Sequence, residues 1–414
     1  MEKNAVRSGA FARRRRDAAL PLLFVAGFCA YGCNHGSMIY TPLLVLDGGG
    51  DLFAVGLQAT VFLALAVALR FWLGPLADRR GTKPLMALGL AAYAVTTPLL
   101  GLCGTFAAVL VVRCVQAVGM AAFFPCALSA VSEVAGQRNS GLTLGAYRLV
   151  SSVALTVSAA ALFPLVQSIG YAGTFTVMGT VGALGLLCVL AAPVPGPSQR
   201  DMERGAEDDG PRNPGLLSQL RQILAAHRLL AASVLGATFV AALGYGLVTN
   251  FATPFVEKAA PTVNAGVLVA LVGVGGLVAN PVAGWLVDRR DSFSTLAFFL
   301  GCLGAGVAAL ALVPAAPAGM PLVGLAVGVG YFGVATSAVA LIAKRIAPEG
   351  RSSFIAMQQN CIDVGAGLAG IFFGTLFSFA SPAVGFVLWG VVTMAVGIAI
   401  LYAATDAKHR AHRV

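Results

Sequence analysis

The sequence predicts an all-α integral membrane protein of about 12 transmembrane helices in two pseudo-symmetric six-helix bundles. Three observations predict it: long blocks apolar on every face, basic residues confined to alternate loops, and motifs that recur after six spans. The 414 residues are 58% hydrophobic and only 11% charged, whereas a soluble domain is roughly a quarter charged. A helix of about 20 apolar residues crosses the hydrocarbon layer. Backbone groups in lipid must be bonded internally, which leaves helices or a closed barrel. Barrel strands alternate polar and apolar over about 10 residues. Blocks such as 85–103 and 295–313 do not alternate, so helices are selected.

Read in order, the apolar blocks place spans at 18–42, 52–76, 84–103, 106–134, 140–167, 171–193, 228–255, 262–287, 293–314, 318–343, 352–379 and 383–404. The first is long and lacks a clear cleavage site, so it reads as a retained span and not a signal peptide. The longest non-apolar stretch, 195–227, holds Pro195, Pro197, Pro211, Pro214 and charges of both signs, as a linker would. The expected organisation is a basic N-terminus over 1–17, one six-helix bundle over 18–194, the linker over 195–227, a second bundle over 228–405 and a basic tail over 406–414.

Lysine and arginine set the orientation. Arg13–Arg16 precede the first span, and every second loop repeats the charge: Arg79, Arg80 and Lys83; Arg138; the linker; Arg289 and Arg290; Lys344, Arg345 and Arg351; Lys408, Arg410 and Arg413. The alternate loops hold Asp47, Asp51, Glu257 and Lys258 and little else that is charged. This positive-inside pattern predicts cytoplasmic termini and an even number of spans in a bacterial inner membrane. It also accounts for the net charge of +10 without a nucleic-acid partner. The eight cysteines all fall inside apolar blocks with no zinc-ligand context, and they read as small buried packing residues. No nucleotide motif, metal cluster or nucleophile triad stands out. Gly273, Gly275 and Gly276 lack the Lys-Ser/Thr of a phosphate loop and instead suit close helix approach. No cofactor, no metal and no enzymatic activity are expected.

The halves repeat. Gly74-Pro75-Leu76-Ala77-Asp78-Arg79-Arg80-Gly81 follows the second span, and Gly284-Trp285-Leu286-Val287-Asp288-Arg289-Arg290 follows the eighth. Arg138-Asn139-Ser140 opens the fifth span and Arg351-Ser352-Ser353 the eleventh. With Lys83, the first of these segments resembles the loop signature of the major facilitator superfamily. Arg113-Cys114-Val115-Gln116, ending at Gly119, resembles that family's fourth-span signature, with Ala117 where glycine is usual. The resemblance covers essentially the whole chain. It implies a cavity lined by spans 1, 4, 7 and 10, flanked by 2, 5, 8 and 11. It also implies a loop latch at the cytoplasmic face, which gathers Arg70, Gly74, Asp78, Arg79, Gly81, Lys83 and Glu133, with Gly284, Asp288 and Arg289 as the weaker copy. Family antiporters carry a glycine- and proline-rich signature on the fifth span. Here Pro164 is present, but the glycine spacing is not.

Charges inside lipid spans are costly and face a cavity or a partner. Spans 3, 6, 9 and 12 have none at their centres. The polar side chains concentrate elsewhere: Asn34 and His35 on span 1, Arg113 and Gln116 on span 4, Arg148 on span 5, Asn250 on span 7, and Gln358, Gln359, Asn360 and Asp363 on span 11. At about 1.5 Å per residue, Arg148 and Asp363 lie roughly 15–18 Å beyond Arg138 and Arg351, near the midplane. Asp363 can couple protons or sit in a fixed ion pair. His35 can bind solute, carry a proton or pack as a neutral ring. Arg113 and Arg148 can clamp a carboxylate or phosphate, or bond helix carbonyls and Asp363. Asn250, Gln358, Gln359 and Asn360 suit helix contacts as well as solute contacts.

The expected activity is alternating-access transport of a small anionic or zwitterionic organic solute by a monomer in the bilayer. The resemblance implies proton-coupled efflux. Proton-coupled uptake of an organic acid or nutrient is the alternative, and a non-transporting membrane sensor or scaffold is the alternative of another class.

Overall fold

The structure, a computed structural model, describes residues 2–135, 140–194, 227–260, 264–289, 292–346 and 348–411. The 195–226 part of the expected linker, the Arg138 loop, and the side chains of Arg13–Arg16, Asp78 and Arg351 lie outside the described part. All regular structure among the described residues is helical: α1 (Glu2–Asp47), α2 (Leu52–Arg80), α3 (Thr82–Leu100), α4 (Phe106–Ala135), α5 (Ser140–Ala191), α6 (Arg228–Leu247), α7 (Thr253–Ala259), α8 (Ala265–Arg289), α9 (Ser292–Ala309), α10 (Met320–Arg345), α11 (Pro348–Leu376) and α12 (Pro382–Ala411).

These elements map onto the twelve predicted spans with two local differences. α5 carries the fifth and sixth spans in one run, interrupted at Gly170, whose φ of 69° and ψ of 179° lie outside helical geometry. Only glycine adopts that backbone without steric cost, so Gly170 turns the chain between the two spans. The seventh span is α6 and α7 joined by a five-residue π-helix, Val248–Ala252. Among the described residues, ten helices are long and apolar enough to cross a membrane. One of them, Gly145–Ala191, is the double-length α5, and the more polar α11 is not among the ten. The chain is a multi-pass membrane protein. Phe71, Trp72 and Phe379 are 75%, 70% and 86% exposed, which suits contact with acyl chains.

Packing divides the chain into two compact units that do not follow chain order: Met1–Ser37 with Leu65–Arg212, and Met38–Ala64 with Asn213–Val414. Helices α1 and α2 therefore each give one end to each unit. In the first unit, Leu23, Ala26 and Ala30 of α1, Leu85, Met86 and Leu90 of α3, Phe123, Ala127 and Val131 of α4, and Tyr147 and Val189 of α5 form one buried cluster. In the second, α10 packs against α8 and α9, α9 against α12, and α6 against α11. The cysteines are all free. Cys29, Cys33 and Cys126 are buried, but the other five are half-buried, a departure from the expected full burial.

With no hydrophobic drive between helices in lipid, association rests on close van der Waals contact, and small residues permit it. Gly328 on α10 lies directly against the Val272 carbonyl of α8, leaving no room for a β-carbon, and Gly275 of α8 meets the α10 backbone at Leu325 and Val329. Gly301 on α9 faces open space. Gly328→Ala should therefore lower the melting temperature in detergent, since overpacking costs about 1–3 kcal/mol. Gly301→Ala should leave it unchanged or raise it slightly. Equal behaviour of the two variants in a thermal-unfolding assay would refute the packing assignment.

Candidate functional site

In the first unit, helical spacing puts Tyr31, Asn34 and His35 on one side of α1, and a single turn separates Arg113 from Gln116 on α4. These side chains settle into two arrangements. In one, Arg113 Nη1 donates to Gln116 Oε1 at 2.6 Å. Gln116 Nε2 in turn donates to Ser37 Oγ at 3.0 Å and Thr97 Oγ1 at 3.4 Å. The Tyr93 hydroxyl donates to Asn34 Oδ1 at 3.0 Å and lies within electrostatic reach of Arg113. Arg113 is 1% exposed and Gln116 fully buried. Three of the predicted site residues thus form one sealed network that ties α1, α3 and α4 together, and Arg113 presents no surface to a solute in this conformation.

The second arrangement is only partly enclosed. His35 Nε2 lies 3.1 Å from Ser151 Oγ on α5, and its ring stacks near-parallel on Tyr31 at 5.9 Å. Tyr31 also meets Phe124 at 4.5 Å and Tyr147 at 6.4 Å between ring centroids. Arg148, one residue from Tyr147, is exposed, and its charge reaches Tyr31. Among the described residues the Arg148 guanidinium has no hydrogen-bond or ion-pair partner. Sequence reasoning passed over Tyr31 and Ser151. The signal was available in part, because Tyr31 lies one helical turn before His35.

In the second unit, Asp363 is 5% exposed on α11 and within electrostatic reach of Tyr331 on α10. Tyr331 stacks on Tyr245 of α6 with centroids 3.9 Å apart and planes 8° from parallel. Gln358 is 1% exposed, with Nε2 buried and unbonded, whereas Gln359 and Asn360 are exposed. Thr336 donates to Asn280 at 2.7 Å, linking α10 to α8. Asn250 sits inside the π-helix and donates to the Gly246 carbonyl of its own chain at 2.7 Å. That bond supports the widened turn, and π-turns are frequent at functional sites. Tyr245, Asn280 and Thr336 were not singled out from sequence, because nothing in their local pattern separates them from packing residues.

The residues expected at the basic-loop end are engaged locally. Lys83 Nζ donates to the Leu190 and Ala192 carbonyls, each at 2.8 Å, so a cation closes the C-terminal end of α5, where the helix dipole favours it. Gly81 has φ 85°, which explains its identity, while a β-carbon on Gly74 or Gly284 would meet nothing. Arg70 is half-buried, and its charge reaches Tyr93. Arg79 and Glu133 are exposed. In the second unit, Asp288 pairs with Lys344 at 3.2 Å, and Lys344 also donates to the Val287 carbonyl. Arg289 lies over Trp285 at 4.6 Å.

The "Probable L-galactonate transporter" of Escherichia coli (strain K12) is 25% identical over 172 residues, 41% of this chain and 38% of that protein. The "Multidrug transporter MdfA" of Yersinia pestis bv. Antiqua (strain Angola) is 33% identical over 109 residues, 26% of each chain. These alignments span well under half the length of either relative. The crystal structure of the nucleoside transporter NupG superposes with a TM-score of 0.71, covering 94% of this chain and 98% of that one at 14% identity, a likeness of fold alone. A sequence model of the Major Facilitator Superfamily matches residues 23–370, and the chain belongs to that family.

Proposed function

We propose that the protein is a proton-coupled secondary transporter of a small organic anion, and that Arg148 is the group that receives the anion. The observation that carries this reading is the Arg148 guanidinium, unpaired among the described residues and set at membrane depth beside Tyr31. Arginine stays charged, so a guanidinium in a span without a protein partner calls for an anion from elsewhere. Arg113, expected from sequence to share this task, is engaged by Gln116. The likeness to a relative named as an L-galactonate transporter supports a hydroxylated carboxylate as the solute class. Asp363, buried on α11, is the proposed coupling acid, with His35 as a second titratable group. Solute entry and a change of protonation would shift the balance between two conformations of the transporter.

Efflux by proton antiport is the proposed direction, supported by the likeness to a multidrug transporter. Uptake symport is the second reading, favoured by the fifth-span glycine pattern that departs from the antiporter form. The protein is proposed to act as a monomer in a bacterial inner membrane with both termini cytoplasmic, on the strength of the alternating basic loops.

Arg148→Ala should weaken binding of L-galactonate or a comparable organic acid about 10–100-fold, the range for a lost charge-assisted bond. Arg148→Lys should restore part of it, as read by calorimetry on detergent-purified protein. Undiminished affinity in Arg148→Ala would remove the anion assignment. Asp363→Asn should abolish accumulation driven by a pH gradient while sparing solute exchange in proteoliposomes, and persistent gradient-driven accumulation would rule out Asp363 as the coupling group. In everted vesicles with an acidified lumen, antiport predicts solute accumulation inside. Loss of preloaded solute under the same gradient would indicate uptake symport instead.

A further inference from the structure

The hydroxyl of Thr60 occupies an unusual position. Thr60 Oγ1 donates to the Gly367 carbonyl of α11 at 2.6 Å and accepts from the Ile371 amide of the same helix at 2.9 Å. Gly367 and Ile371 are four residues apart, so these are the two groups a regular α-helix joins to each other. The Thr60 side chain is threaded into a backbone rung of its neighbour. The close approach that allows this comes from glycines on both helices. A β-carbon on Gly56 would collide with the Gly370 carbonyl, one on Gly370 with the Gly56 carbonyl, and one on Gly374 would lie 3.0 Å from the Leu52 carbonyl. All of these residues belong to the second compact unit.

Several other threonines in the helices bond the backbone of their own helix. Thr96, Thr156, Thr174 and Thr393 donate to the carbonyl four residues earlier, at 2.7, 2.9, 2.8 and 2.8 Å. Thr60 has the same option in the Gly56 carbonyl but is committed to α11. Every partner in the contact therefore has somewhere else to go. If α2 parts from α11, the Ile371 amide and the Gly367 carbonyl bond each other, and Thr60 turns back to Gly56. No polar backbone group is left bare in lipid, the cost that normally makes membrane contacts hard to break. Residues Met38–Ala64 belong to one compact unit, while the rest of α1 and α2 belongs to the other.

We propose that Thr60 is a reversible latch and a positioning residue of the transport cycle: its hydroxyl holds α2 on α11 in this conformation and releases it when the Gly367–Ile371 rung closes on itself. The rung begins one helical turn after Asp363, so latching acts on the helix segment that carries the proposed coupling acid. The inference takes its meaning from the transport reading, but its measurement does not depend on it.

The test is double electron–electron resonance between nitroxides at Phe53→Cys and Val364→Cys, positions 37% and 43% exposed on α2 and α11, with the eight native cysteines replaced. No solute is added. Thr60→Val keeps the shape and removes the hydroxyl. It should raise the ratio of long- to short-distance populations roughly five-fold, the shift expected for one net hydrogen bond, with an unchanged melting temperature. Thr60→Ser should match the parent. An unchanged ratio in Thr60→Val overturns the latch, and so does a rise matched by a loss of thermal stability, which would mark Thr60 as a structural tether. Intact anion binding in Arg148→Ala would end the anion assignment and leave this result standing.

Discussion

A polar or charged group at lipid depth has no water to turn to, and the interior of this protein is organised by how each such group is satisfied. Backbone amides and carbonyls meet the constraint by forming helices, so nearly every described residue is helical. Side chains have no such automatic solution. Each must find a partner in the protein, reach a solvated space or await one from outside, and these three outcomes separate structural from functional residues.

The two arginines at membrane depth in the first unit illustrate the division. Arg113 is enclosed by Gln116 and the Tyr93–Asn34 pair, and Gln116 passes its remaining donors to Ser37 and Thr97. The result is a cross-brace among three helices, in which the charge adds rigidity. Arg148 is the opposite case: exposed, beside Tyr31, and without a protein counter-ion among the described residues. An identical side chain becomes a strut in one place and a receptor in the other because of its neighbours. On the second unit the same logic distinguishes the Asn280–Thr336 bond, which links two helices, from Asp363, which lies buried within electrostatic reach of Tyr331, and from the buried Gln358.

Much of the fold was legible because membrane insertion is governed by composition over long windows. The apolar blocks marked the spans, and the break between 167 and 171 falls where Gly170 leaves helical geometry. Gly81 stood out as a motif glycine and has the positive φ that the motif needs. The details that depend on neighbours distant in sequence were hidden. Lys83 belongs to a recognisable loop signature, yet its partners are carbonyls at the end of α5, more than a hundred residues away. The π-turn at Asn250 widens one helix by local packing, which no five-residue pattern announces. The burial of Arg113 and the exposure of Arg148 could not be ranked either, because both read as lone arginines in apolar spans. Thr60 was invisible for the same reason, since a threonine in a membrane helix ordinarily bonds its own backbone.

The contrast between the two arginines can be measured on the native protein. Phenylglyoxal, a water-soluble reagent for guanidinium groups, can be applied to the purified transporter and its sites mapped by mass spectrometry, with and without a saturating organic anion. The account predicts rapid modification of Arg148, protection of that site by the anion, and resistance of Arg113 under both conditions. Modification of Arg113 as readily as Arg148, or an inert Arg148, would contradict it.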